Sequence, residues 1–256
     1  MHKINIGFIG GCINKQKNIP PEKLYHSILK KHLAENFHDL EFNISLATYH
    51  SYNQLTEKAN HFVSKNNLNI LFIFIRPFPM MPLHKLIIKY DLPDGKKGLT
   101  IHPQLLKRKA DWSKQLTEFQ TTNDFSFIPK NKFGLRDINL SIGGLLGLHR
   151  WALRFVSEQL SSIIHFCITN SVTPVIISPP KNPESVLGNL ICRRASFYFS
   201  EVCTKNEIAF LNINCFKREF FLPDKIHFNV SGHKKLSATI LNLIQQKLNS
   251  IPVNSD

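Results

Sequence analysis

Cysteine is scarce in this chain and follows no pattern. The five cysteines, at 12, 167, 192, 203 and 215, show neither CxxC nor zinc-finger spacing. That excludes a structural zinc site of the usual kinds and leads to an expectation of free thiols in a reducing cytoplasm. No apolar run approaches the ~20 residues that span a bilayer. The first residues lack a signal-peptide layout, because Lys3-Ile4-Asn5 leads straight into an apolar stretch without a cleavage site. HExxH, a dinucleotide-binding glycine fingerprint and internal repeats are all missing. Gly143-Gly144 with Gly147 lacks the ending of a phosphate loop and reads as close helix packing. No metal and no cofactor is therefore expected. Glycine is absent altogether between Gly11 and Gly95.

Acidic residues are also few, 18 against 32 lysines and arginines, for a formal charge of +14. The surplus is dispersed, with Lys15, Lys17, Lys23, Lys30 and Lys31 in one region, Lys96 and Lys97 in another, and Lys234 and Lys235 near the end. No stripe interleaves basic and aromatic residues, which argues against a specific nucleic-acid partner. A solvated basic surface is the plain reading. Attraction of an anionic substrate or an acidic carrier protein is the functional one.

What is present supports one domain over residues 1–256. The chain is 43% hydrophobic, includes 20 phenylalanines and is long enough to bury a large core. Strand and helix patterns alternate. Ile4–Ile9 reads as a buried strand, 21–36 as a helix and Glu41–Ala47 as a second strand. A helix over 53–66 follows, then Asn69–Ile75, whose unbroken apolar core suits the middle of a parallel sheet. Regularity stops at Arg76-Pro77. The stretch 77–141 holds six prolines and one helical patch near 103–119, and is expected to form an inserted lid, with Asp111 and Trp112 serving to pack it down. Beyond it come a long helix over 142–169, a strand at Pro174–Ser178, a helix at 184–205, a strand at 208–213 and a closing helix at 232–248 capped by Ser231.

This order predicts an α/β fold, a flavodoxin-like doubly wound parallel five-stranded sheet carrying an inserted lid region. In such sheets ligands bind beyond the carboxyl ends of the strands. Cys12, the Thr48–Ser51 segment, Arg76, Asp224 and His227 all fall at those ends. Convergence on one edge is a stronger signal than any of these residues alone.

Gly10-Gly11-Cys12 after the first strand and Asp224-Lys225-Ile226-His227 before the last helix are halves of an acyl-transfer inventory: a nucleophile, a base and an acid that orients it. A lone cysteine is more often a small buried hydrophobe, and an acid–histidine pair can merely cap a loop. With these residues in place, the chain resembles the SGNH (GDSL-type) hydrolase superfamily. That family has a nucleophilic Ser in Gly-Asp-Ser after its first strand and Asp-x-x-His before its final helix. Here Cys12 stands where the serine is expected, and Asp224 through His233 fits the closing block. The oxyanion glycine of the family's second block has no counterpart, and Arg76-Pro77 stands where the third block supplies Asn.

The resemblance implies a Cys12–His227–Asp224 triad acting through an acyl-cysteine. The partner would be an acyl ester or thioester, including one carried on an acyl carrier or coenzyme A. Gly11 would let the Cys12 N–H face the reacting carbonyl. Arg76 would replace the missing Asn as an oxyanion or carboxylate ligand, or else pair with Asp91 or Asp94. His50 and Ser51 are further donor candidates, whereas His233 reads as a helix-face residue. Cys167, Cys192 and Cys203 read as structural. The competing reading is a catalytically silent, SGNH-like ligand-binding protein.

Overall fold

The run Ile4–Ile9 becomes the core of strand β1 (His2–Gly10), which lies between β2 (Leu40–Thr48) and β3 (Ile70–Phe74). Our computed structural model describes residues 2–16, 19–49, 52–77, 80–81, 87–91, 97–101, 134–180, 185–222 and 227–249, with Cys12 described in its backbone alone. Strands β6 (Thr173–Ile177) and β7 (Ala209–Leu211) complete a five-stranded parallel sheet of order β2-β1-β3-β6-β7. Strand β1 pairs along its whole length, from His2 opposite Leu40 to Gly10 opposite Thr48. The expected doubly wound, flavodoxin-like sheet is the one observed.

Side chains alternate across this sheet and feed two cores. Ile6, Phe8, Phe72 and Phe74 face helices α1 (Tyr25–Asn36) and α6 (Val230–Asn249), packing with Leu29, Leu33, Leu236 and Ile240. Ile9, Leu71 and Ile73 face α2 (Leu55–Asn66), α4 (Leu148–Thr169) and α5 (Val186–Lys205), packing with Leu55, Val156, Leu160 and Phe199. Because both faces are covered, all five residues of β3 are buried. Each such side chain contributes about 2 kcal/mol of transfer free energy.

Several boundaries differ from the sequence pattern for identifiable reasons. The expected helix over 142–169 is two helices, α3 (Leu135–Leu145) and α4, separated where Gly147 takes φ 68°. That left-handed turn, not close helix packing, is what the glycine provides. Pro21–Lys23 forms a single 3-10 turn before α1 begins. Helix α6 starts earlier than expected because its N-cap is Asn229, whose Oδ1 accepts the Gly232 N–H at 2.9 Å; Ser231 lies inside the first turn. Within the 77–141 segment, β4 (Ile87–Asp91) and β5 (Lys97–Ile101) pair as an antiparallel hairpin. Asn139 of α3 grips that hairpin by donating to the Ile87 carbonyl and accepting the Ile87 N–H. The helical patch at 103–119, with Asp111 and Trp112, lies outside the described residues.

Candidate active site

The strand order reverses direction between β1 and β3, and their carboxyl ends meet there with very little space. A Cβ on Gly10 would lie 3.0 Å from Phe74 Cβ, and one on Gly11 would lie 2.9 Å from Arg76 Nε. Gly11 is thus small because the Arg76 side chain lies across it. A topological switch point of this kind is where doubly wound sheets bind ligands.

Arg76 is held from several directions. Its Nη1 donates to the Tyr49 carbonyl at 2.8 Å, and its guanidinium carbon lies 5.6 Å from the centre of the Tyr49 ring. Its backbone N–H donates to Tyr52 Oη at 2.9 Å and to Tyr49 Oη at 3.3 Å. The two hydroxyls in turn donate to the Phe74 carbonyl (Tyr49, 2.8 Å) and the Arg76 carbonyl (Tyr52, 3.1 Å). Both tyrosines are buried, and burial pushes the Tyr49 hydroxyl up to about 12 and the Tyr52 hydroxyl well above its usual value. They therefore stay neutral and satisfy backbone groups where β3 ends and its ladder no longer can. Asp94, one of the two acids expected to pair with Arg76, lies outside the described residues, as does the side chain of Asp91.

The turn that follows β1, Cys12–Lys15, leads into a buried polar chain. Asn14 donates to the carbonyls of Phe8 (3.2 Å) and Ala47 (2.9 Å), holding the turn on the ends of β1 and β2, and accepts from Tyr25 Oη at 2.8 Å. Gln16 donates to the Phe228 carbonyl at 2.7 Å. His233 joins the two, with Nδ1 accepting the Tyr25 N–H and Nε2 facing Gln16 Oε1, both at 3.3 Å. Asn14, Gln16 and His233 are all buried. Burial, helped by the nearby His26 and His227, pushes the His233 imidazole down to about 4. Burial likewise lowers His26, partly offset by its hydrogen bond to the Asn14 backbone.

His227 sits half-buried in the turn that precedes α6. Its carbonyl accepts the Leu222 N–H at 2.7 Å, while the Asn229 N–H donates to the Phe220 carbonyl at 3.0 Å, closing a small antiparallel bridge at Phe221 and Phe228. Gly232 is required beneath it, because a Cβ there would overlap the Phe220 carbonyl oxygen.

Of the residues singled out from the sequence, Gly11 and Arg76 are in direct contact, and the backbone of Cys12 follows them at the same sheet edge. His227 is joined to that turn at one remove, through Phe228 and Gln16. The Cys12 side chain and all of Asp224, His50 and Ser51 lie outside the described residues. His233 is a correction, since it is not a helix-face residue but the buried junction between two turns. Cys167, Cys192 and Cys203 are buried free thiols pushed up to about 12 by burial, in keeping with a structural role. Asn14, Gln16, Tyr49 and Tyr52 carried no motif that could have flagged them, whereas Tyr25 shares the helical period of Leu29 and Leu33, which marks it as buried but not as a hydrogen-bond partner. Among the described residues, no helix is long and apolar enough to cross a membrane.

No family model matches the chain, and no curated protein matches it. Solved structures do share its fold. One titled TesA superposes with a TM-score of 0.57 at 8% identity, over 94% of this chain and 98% of that one. The psychrotrophic esterase EstA from Pseudoalteromonas sp. superposes at 0.54 and 9% identity, over 96% and 99%. Axe2, an acetylxylan esterase from Geobacillus stearothermophilus, gives 0.57 and 11%, over 95% of each; that structure is of a catalytic mutant with alanine in place of a serine. The α/β fold with its five-stranded parallel sheet is thus one that solved esterase structures also have. At such low identity the likeness concerns architecture, including the sheet edge at which the switch point lies.

Proposed function

We propose that the chain is an acyl-transfer enzyme acting on an ester or thioester through Cys12, His227 and Asp224. The observation that carries this reading is the Gln16–Phe228 hydrogen bond, which ties the turn that begins at Cys12 to the residue after His227 across 212 positions of sequence. The fold shared with TesA, EstA and Axe2 supports it further, since two of those structures are named as esterases.

In this reading His227 takes the proton from the Cys12 thiol, and the thiolate attacks the substrate carbonyl carbon. The Cys12 N–H, next to the small Gly11, and the Arg76 guanidinium receive the developing oxyanion. His50 and Ser51, from the segment after β2, are further donors to the substrate. Collapse expels the alkoxide or thiolate, which takes the proton from His227. Water, losing a proton to His227, or another nucleophile then resolves the acyl-cysteine and regenerates the thiol. Asp224 holds the imidazole in the required tautomer. The segment 77–141 acts as a lid over this edge, and the chain's +14 charge favours encounter with acyl groups on an acidic carrier or coenzyme A.

Intact-mass measurement after incubation with p-nitrophenyl acetate tests the assignment. The wild-type protein is expected to gain one acetyl group, and Cys12→Ala to gain none while losing roughly a thousandfold or more in turnover. An adduct that survives Cys12→Ala refutes the nucleophile. Wild-type protein that takes up no adduct and turns over no ester or thioester, yet binds an acyl ligand, is the catalytically silent alternative.

A further inference from the structure

We infer that Gln16 and His233 are positioning residues, a buried brace that sets the His227 turn against the Cys12 turn; the inference rests on the proposed function. The chain of hydrogen bonds has only one consistent direction. The Tyr25 N–H can only donate, so His233 Nδ1 must be bare, and a neutral ring then carries its proton on Nε2. That proton points at Gln16 Oε1, which fixes the amide so that Gln16 Nε2 donates to the Phe228 carbonyl. At its other end the chain reaches the sheet: Tyr25 Oη donates to Asn14, and Asn14 donates to the carbonyls of Phe8 and Ala47. The His233 ring is clamped as well, stacked on Tyr25 with centroids 6.1 Å apart and meeting the Phe228 ring edge-on at 5.9 Å. Two hydrogen-bonded segments, joined by the Tyr25 side chain itself, thus connect the ends of β1 and β2 to the residue beside His227.

Burying three polar side chains does little for stability that apolar residues of equal volume would not do better. What this arrangement supplies is a fixed distance and orientation between two turns that belong to opposite ends of the chain. Misplacement of a reacting group by about 1 Å costs on the order of a hundredfold in rate. Gln16 touches no reacting atom in this scheme and acts through Phe228 on His227.

Gln16→Met keeps the length and removes both hydrogen bonds. With p-nitrophenyl acetate it is expected to lower kcat about tenfold or more while KM stays within about twofold. Exchange of the Leu222 and Asn229 amides, which close the His227 turn, should quicken. Gln16→Glu separates positioning from packing. A protonated carboxyl both accepts and donates as the amide does, whereas a carboxylate cannot donate to Phe228. The titratable group against this position is His233 on α6, which is itself surrounded by Tyr25 and His26 on α1 and by His227 in its turn. The kcat of Gln16→Glu relative to wild type should therefore rise as pH falls, while that of Gln16→Met stays flat.

Wild-type kcat in Gln16→Met, a loss matched by unfolded protein, or a pH-independent Gln16→Glu ratio would each overturn the brace. The function reading fails separately, if the wild-type protein neither turns over esters or thioesters nor forms an acyl-cysteine. Amide exchange then decides alone: faster exchange at Leu222 and Asn229 in Gln16→Met upholds the brace, and unchanged exchange overturns it.

Discussion

His233 makes the fold sensitive to mild acid, and the size of the effect follows from its surroundings. Its ring is fully buried, with Nδ1 occupied by the Tyr25 N–H and with His26 and His227 close enough to oppose a positive charge. Protonation would set two donors against each other at Nδ1. The imidazole is accordingly pushed down to about 4, against 6.5 in an unfolded chain. Between those two values the unfolded state binds more protons than the folded one, so stability rises with pH across the window and falls on acidification. At ~1.4 kcal/mol per pH unit, going from pH 7 to pH 5 removes about 2 kcal/mol through this residue alone.

The difference between wild type and His233→Gln isolates the contribution, because every other titratable group is common to both proteins. Urea unfolding at pH 7 and pH 5 is the assay, with the slope checked for constancy. The wild-type midpoint should fall further than that of His233→Gln, by roughly 1 M if the slope is about 2 kcal/mol per molar. Equal losses in the two proteins would refute the reasoning, as would a His233 ring that titrates near 6.5 by proton NMR.

Other positions make sharper, simpler demands. Gly232→Ala should destabilise by about 3 kcal/mol in chemical denaturation, because the added methyl meets a backbone carbonyl oxygen that cannot swing away. Asp137→Ala should lower stability by a similar ~3 kcal/mol, since the buried carboxylate accepts from Ser185 Oγ and the Leu187 and Gly134 N–H groups, tying α3 to the start of α5. Tyr49→Phe removes a hydroxyl that serves Phe74 and Arg76, and should cost about 1–2 kcal/mol in thermal unfolding. Arg76→Lys keeps the charge but not the planar fork resting on Tyr49. It should lower turnover of p-nitrophenyl acetate about tenfold or more with little change in melting temperature, and unaltered turnover would remove Arg76 from the oxyanion role.

Where the chain's chemistry is periodic, its structure was readable in advance. The apolar run through Ile70–Phe74 could only be a strand covered on both faces, and Leu236, Ile240 and Ile244 could only be the inner stripe of a helix. The placement of Gly11 and Arg76 at one sheet edge followed from the same alternation. Boundaries set by a single hydrogen bond or dihedral did not show. Ser231 and Asn229 are both acceptable caps in isolation, and only the Phe221–Phe228 bridge, gripped by Asn229 Nδ2, decides between them. A break at Gly147 was equally hidden, because Leu145, Leu148 and Leu153 continue the apolar pattern across it.

The buried polar chain illustrates the deeper limit. Asn14 and Gln16 fall in a short connection where no period operates, and although His233 falls in line with Leu236 and Ile240 on the inner stripe, spacing says nothing of which polar groups meet it there. Their roles exist only once β1, α1 and α6 are packed together, since each partner comes from a different part of the chain. A nucleophile and a histidine can be found by motif because chemistry dictates their types. The groups that fix the distance between two turns are dictated by whatever carbonyl or N–H the fold leaves unpaired nearby, here Phe228 and Tyr25. Polar residues that a motif search passes over, yet are buried with every donor aimed at a specific acceptor, are therefore where the geometry of a divergent site is set.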